Sequence, residues 1–146
     1  MSSPTPQPTA SSFIKPTLDS QYHIDYEWWV HTPGEDLRVY LLTHLPPDLR
    51  EKAVAAGEGA QMDFIDPATG EVTRLDALRL TVRHAAESPD FINRDIAIVD
   101  CLFRVFIKNN NTPLSPRELS GITGHDAQNI LRLLNGTRVY KGIRLA

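Results

Sequence analysis

Cysteine is nearly missing from this chain. Cys101 is the only one in 146 residues, so no internal disulfide can form and a thiolate zinc site lacks its ligands. One free thiol suits a reducing cytoplasm, where the chain is expected to reside. Long apolar runs are missing too: nothing approaches the roughly 18 residues of a membrane helix. No basic start leads into an apolar stretch, so no secretory signal is expected. The phosphate-binding pattern ending Gly-Lys-Ser/Thr, the GxGxxG pattern and the Gly-x-Ser-x-Gly elbow do not occur. The five histidines, His23, His31, His44, His84 and His125, show no His-x-x-x-His spacing. They read as surface or capped side chains, with no metal and no cofactor expected. Carboxylate pairs such as Glu35-Asp36 are weak evidence alone, so an enzyme is not expected.

What is present is enough apolar matter, 41% of the residues, to fill a real core. The length allows one domain or two very small ones. The net charge of −3 hides an asymmetry. Residues 1–100 hold 8 Lys/Arg against 16 Asp/Glu, a balance of −8. Residues 101–146 hold 7 against 2, a balance of +5. A basic end on an acidic body suits local contact with a polyanion such as DNA, or else a solvated basic face.

The composition divides the chain in three. Residues 1–17 are Ser, Thr, Pro and Gln with few apolar groups, and a disordered tail is expected. Residues 18–90 read as a helical dimerisation or partner domain. It opens on an aromatic cluster, Tyr22, Tyr26, Trp28 and Trp29, that serves either as a core anchor or as a partner and dimer interface. Helices are expected over 36–45, 47–56 and 76–87, with Leu37, Tyr40, Leu41 and Leu45 on one face of the first. Between the last two, Met62–Arg74 alternates around Asp-Pro-Ala-Thr-Gly. That pattern predicts a β-hairpin turning at Pro67 and Gly70. Residues 91–146 form the third part. Ile92, Ile96, Val99, Phe103 and Phe106 recur at helical steps, predicting a long buried helix over 91–109. Cys101 inside it reads as a small buried hydrophobe.

The last segment carries the functional signal. Ser115-Pro-Arg-Glu118 is a capping box with proline at the first helical position. Leu119 and Ile122 then share one face, and Gly124 sits where the chain must reverse. A second helix starts at Asp126, with Ile130, Leu133 and Leu134 facing back and Gly136 as its C-cap. Its outward face would show His125, Gln128, Asn129 and Arg132, and Thr137, Arg138, Lys141 and Arg144 follow. Amides can read adenine edges, and arginine can read guanine or phosphate.

Leu119-x-x-Ile-Thr-Gly124 followed by Ile130-x-x-Leu-Leu134 is similar to the helix-turn-helix of winged-helix bacterial transcription regulators. The resemblance covers roughly residues 95–146. It implies a trihelical domain with 126–135 as recognition helix in the major groove. A complete wing needs two strands after that helix, and residues 138–145 allow one, so its partner must come from elsewhere, another subunit included.

The expected fold class is thus mainly α: a helical N-terminal part with a small hairpin, then a C-terminal trihelical helix-turn-helix with a residual wing strand. The leading expectation is a homodimeric DNA-binding regulator or nucleoid-associated factor, with no membrane association. The alternative is a protein adaptor that docks on transcription machinery or a larger assembly through its acidic N-terminal half. A small-molecule sensor with a pocket under the two tryptophans is a third reading.

Overall fold

The computed structural model describes residues 15–65 and 68–146. It is mainly helical, with two small antiparallel strand pairs among the described residues. Most of the expected tail lies outside the described residues. At its end Thr17 donates its N–H to Ser20 Oγ, and Leu18 accepts the Arg117 N–H.

The aromatic cluster splits into β1 (Tyr22–Ile24) and α1 (Tyr26–His31). Asp25 separates them, and its carboxylate takes the Glu27 N–H, which starts the helix. α2 (Leu37–Leu42) is capped in the same way by Asp36. It ends before Leu45, yet Tyr40, Leu41 and Leu45 are all buried as their spacing implies. α3 (Pro47–Ala56) carries Pro47 in its first turn and stops at Gly57, whose φ is +85°. The hairpin follows as β2 (Gln61–Ile65) and β3 (Val72–Asp76), in register from Gln61↔Asp76 to Ile65↔Val72. Gly70 takes the positive φ expected of it, +73°, while Pro67 lies outside the described residues. Asp76 then caps α4 (Ala77–Ala85), which buries Leu78, Val82 and Ala85.

α5 (Ile98–Lys108) is the centre of the core, with Cys101, Leu102, Phe103, Val105 and Phe106 buried. It begins seven residues later than the apolar spacing suggests. Asn93 is the reason: its side chain accepts the Asp95 N–H and donates to the Asp90 carbonyl, both at 2.9 Å, fixing a turn. α6 (Pro116–Thr123) and α7 (Ala127–Leu134) come next, and α6 packs against both α5 and α7. β4 (Ile143–Leu145) closes the chain.

The partner of the final strand lies within the same chain. β4 pairs antiparallel with β1, Tyr22 opposite Leu145 and Ile24 opposite Ile143. The other side of β1 bonds Leu114, whose N–H and C=O both pair with Tyr22 at 3.0 and 2.8 Å. Asn111 adds a two-way side-chain clamp on the Ile24 backbone, 2.8 and 2.9 Å. One buried cluster consequently runs from Tyr22 and Trp29 through Leu41 and Val82 to Phe106, Ile130 and Ile143. No helix among the described residues is long and apolar enough to cross a membrane.

Candidate nucleic-acid interface

Short-range chemistry fixes both ends of the α6–α7 pair. The Ser115 hydroxyl accepts the Glu118 N–H at 3.1 Å, and the Glu118 carboxylate accepts the Ser115 N–H at 3.0 Å. Gly124 ends α6 in a left-handed conformation, φ +80°, and returns its N–H to the Ser120 carbonyl. The Asp126 carboxylate accepts the Asn129 N–H at 3.0 Å and starts α7. Ile130 and Leu134 point into the core. α6 departs from its expected face in one place. Ile122 is 49% exposed and Thr123 is buried instead. The Thr123 hydroxyl bonds the Leu119 carbonyl at 2.8 Å, so the polar residue is satisfied inside. At the far end Asn135, not Gly136, caps α7.

The outward edge of α7 exposes Gln128, Asn129 and Arg132. Arg132 Nη1 lies 3.2 Å from Asn129 Oδ1, which orders the pair. Beyond the helix, Thr137 and Arg138 are exposed, with the Arg138 guanidinium 5.1 Å from the centre of the Tyr140 ring. Asn129, Arg132, Thr137 and Arg138 line one open cavity of about 410 Å³ over Leu133 and Tyr140. Neither arginine forms an ion pair with a described residue.

The remaining expected contacts are drawn elsewhere. His125 is half-buried, with its Nε2 inside the protein and without a partner. Lys141 turns toward α1 and α2: its ammonium is 3.2 Å from the Glu35 carboxylate and 4.8 Å from the Tyr40 ring centre. Its carbonyl accepts the Trp29 indole N–H at 3.1 Å. Arg144 pairs with Asp25 at 3.2 Å, and Arg117 with Asp19 at 3.0 Å. Three of the seven C-terminal cations are therefore matched by acids of the N-terminal part. A further cation comes from outside the segment. Arg94 lies exposed against the α6–α7 turn, 3.0 Å from where a Gly124 Cβ would stand. Nothing in the sequence marks it, because the apolar stripe places it inside a helix.

Of the aromatic cluster, Tyr22 and Trp29 are buried, 1% and 5% exposed, so neither can meet a partner. Trp29 stacks on Tyr40 and meets Phe103 edge-on. Tyr26 and Trp28 remain half-exposed. Behind them lies a polar group of four, in which Tyr40 and His44 are buried and Asp100 and Arg104 half-buried. Arg104 Nε donates to His44 Nδ1 at 3.0 Å and its Nη1 to the Phe91 carbonyl at 2.9 Å, while Tyr40 donates its hydroxyl to Asp100. Burial and the neighbouring Arg104 lower the His44 pKa to about 4, with Asp100 opposing.

No family model, curated protein or solved structure matches this chain. The site therefore rests on its own geometry. It offers one guanidinium beside amides on a helix edge, and a second guanidinium past the end of that helix on the same open cavity. It gathers no group of three or more His, Cys, Asp or Glu that could hold a metal among the described residues.

Proposed function

We propose that the chain is a small cytoplasmic DNA-binding regulator, with α6, the Gly124 turn and α7 serving as a helix-turn-helix. The observation that carries this reading is the uncovered edge of α7, where Asn129 and Arg132 stand exposed beside Arg138, which forms no ion pair with a described residue. Asn129 and Gln128 suit adenine edges, and Arg132 suits guanine. Arg138 and Arg94 fall to the phosphates on either side. Lys141 and Arg144 hold the C-terminal turn and strand to the N-terminal part instead. One eight-residue helix covers few base pairs, so the reading includes a homodimer that places two copies of α7 on successive major-groove faces.

The test is anisotropy of a labelled duplex titrated across salt. Two phosphate-neutralising arginines per protomer give a log–log slope of about −2 for each protomer. Arg138→Ala removes about 0.9 of that slope and Lys141→Ala leaves it unchanged. Absence of binding at low salt, or binding indifferent to both Arg132→Ala and Arg138→Ala, overturns the reading.

A second reading, a protein adaptor, draws on the exposed apolar residues. Ile122 faces out from α6, and Ile65 and Val72 pair across the hairpin end at 63% and 59% exposure. Recovery of a stoichiometric protein partner in salt that strips nucleic acid would favour it.

A further inference from the structure

A second cavity, of about 250 Å³, lies away from α7, among α1, α4 and the end of α5. Its floor is core: Leu41, Val82 and Phe106 are all buried. Its polar lining comes from three elements. Arg79 and Arg83 stand one turn apart on α4, Tyr26 comes from α1, and Asn110 follows α5. The Arg79 guanidinium lies 4.9 Å from the Tyr26 ring centre. The Tyr26 hydroxyl, the Arg79 guanidinium and the Asn110 carboxamide make no hydrogen bond to any described residue. Three other polar residues of the lining, Arg83, Asp76 and Asn111, are already engaged. The Asp76 carboxylate caps α4 at the Leu78 N–H, 2.9 Å, and the Asn111 carboxamide is spent on β1.

We propose that this cavity binds a small apolar carboxylate. Its volume equals about eight waters of bulk liquid, and its floor offers water no hydrogen-bond partner. An apolar body of that size would replace poorly held solvent, in the usual manner of ligand pockets. The Arg79 guanidinium forms no ion pair with a described residue, and a guanidinium meets a carboxylate through two parallel N–H bonds. The Tyr26 hydroxyl and the Asn110 amide can donate to the same oxygens. A nucleoside phosphate fits poorly, because its ring nitrogens would face Leu41, Val82 and Phe106 without partners. The proposal does not depend on DNA binding, since the cavity and α7 share no residue.

The probe is sodium phenylacetate, with phenylacetamide as its neutral counterpart, titrated into the full chain without DNA and followed by methyl NMR. Phenylacetate should shift the Leu41 and Val82 methyl signals saturably, and the amide should bind about tenfold more weakly. Arg79→Met should bring the acid down to the affinity of the amide. Asn110→Gly should weaken the acid severalfold without loss of fold, because Asn110 already has a left-handed φ of +61° that glycine adopts freely. Equal affinity for acid and amide overturns the proposal. So does saturable binding that shifts other residues, or no saturable binding at all. If Arg79→Met fails to fold, the acid–amide comparison and Asn110→Gly decide.

Discussion

At the scale of single residues, the turn Tyr140–Ile143 is where the backbone is most constrained. Lys141 and Gly142 are both left-handed, φ +54° and +80°. A Cβ at Gly142 would stand 2.9 Å from the Asp25 carbonyl oxygen and 3.0 Å from the Trp29 indole nitrogen. Gly34 has a similar φ, +83°, but open space around it. Gly142→Ala should therefore cost about 3 kcal/mol in urea unfolding, and Gly34→Ala about 1 kcal/mol. Equal losses would mean that the turn gives way instead of the backbone. His44 yields a second prediction at this scale. Its ring stacks on Phe103, meets Tyr40 edge-on and accepts from Arg104, so it must stay neutral at Nδ1. Its folded pKa, about 4, lies below the ordinary 6.5. The unfolded chain thus binds more protons once the pH drops below 6.5, and stability falls from there until about pH 4. The loss attributable to this residue is about 3 kcal/mol. His44→Gln keeps an acceptor for Arg104 but cannot titrate. Its unfolding free energy should decline less across that interval, and matching declines in both proteins would remove His44 as the cause.

At the scale of elements, what was legible in the sequence is what is decided within three or four residues. Ser115, Asp126, Asp76 and Asp36 each cap a helix by bonding an N–H two or three positions on, and residue type and spacing suffice to foresee that. Ser115→Ala should cost about 1 kcal/mol, read by thermal or urea unfolding, and a loss near zero would show that the Glu118 half of the box suffices. Apolar spacing was less informative where the backbone had another use. Ile92 and Ile96 of the expected stripe are only half-buried, and Phe91, outside that stripe, is buried instead, in a turn fixed by Asn93 and tied to α5 through Arg104. The candidate site divides on the same principle. The exposure of Asn129 and Arg132 follows from the α7 pattern. The withdrawal of Lys141 and Arg144 depends on Glu35 and Asp25, 106 and 119 positions away in the chain, and no local pattern encodes that.

At the scale of the whole molecule, residues on both sides of position 90 share one core. Phe103 is fully buried, and the rings it meets within 6.2 Å are Trp29, Tyr40 and His44, all from the N-terminal part. β4 likewise finds its partner in β1, and Asp25 and Glu35 hold Arg144 and Lys141 across the same boundary. A chain cut to residues 91–146 would expose Phe103 and Phe106 and leave β4 without a partner. Burying a large apolar side chain contributes about 1.5–3 kcal/mol, and the loss of several exceeds the few kcal/mol by which a small domain is stable. The fragment should therefore give no cooperative unfolding transition by circular dichroism, although α6 and α7 keep all their caps. Adding residues 18–90 as a separate chain should restore the transition, because the missing surfaces come from there. A cooperative transition in the fragment alone would show that α5, α6 and α7 bury enough among themselves, and that the N-terminal part docks on a finished domain instead of completing it.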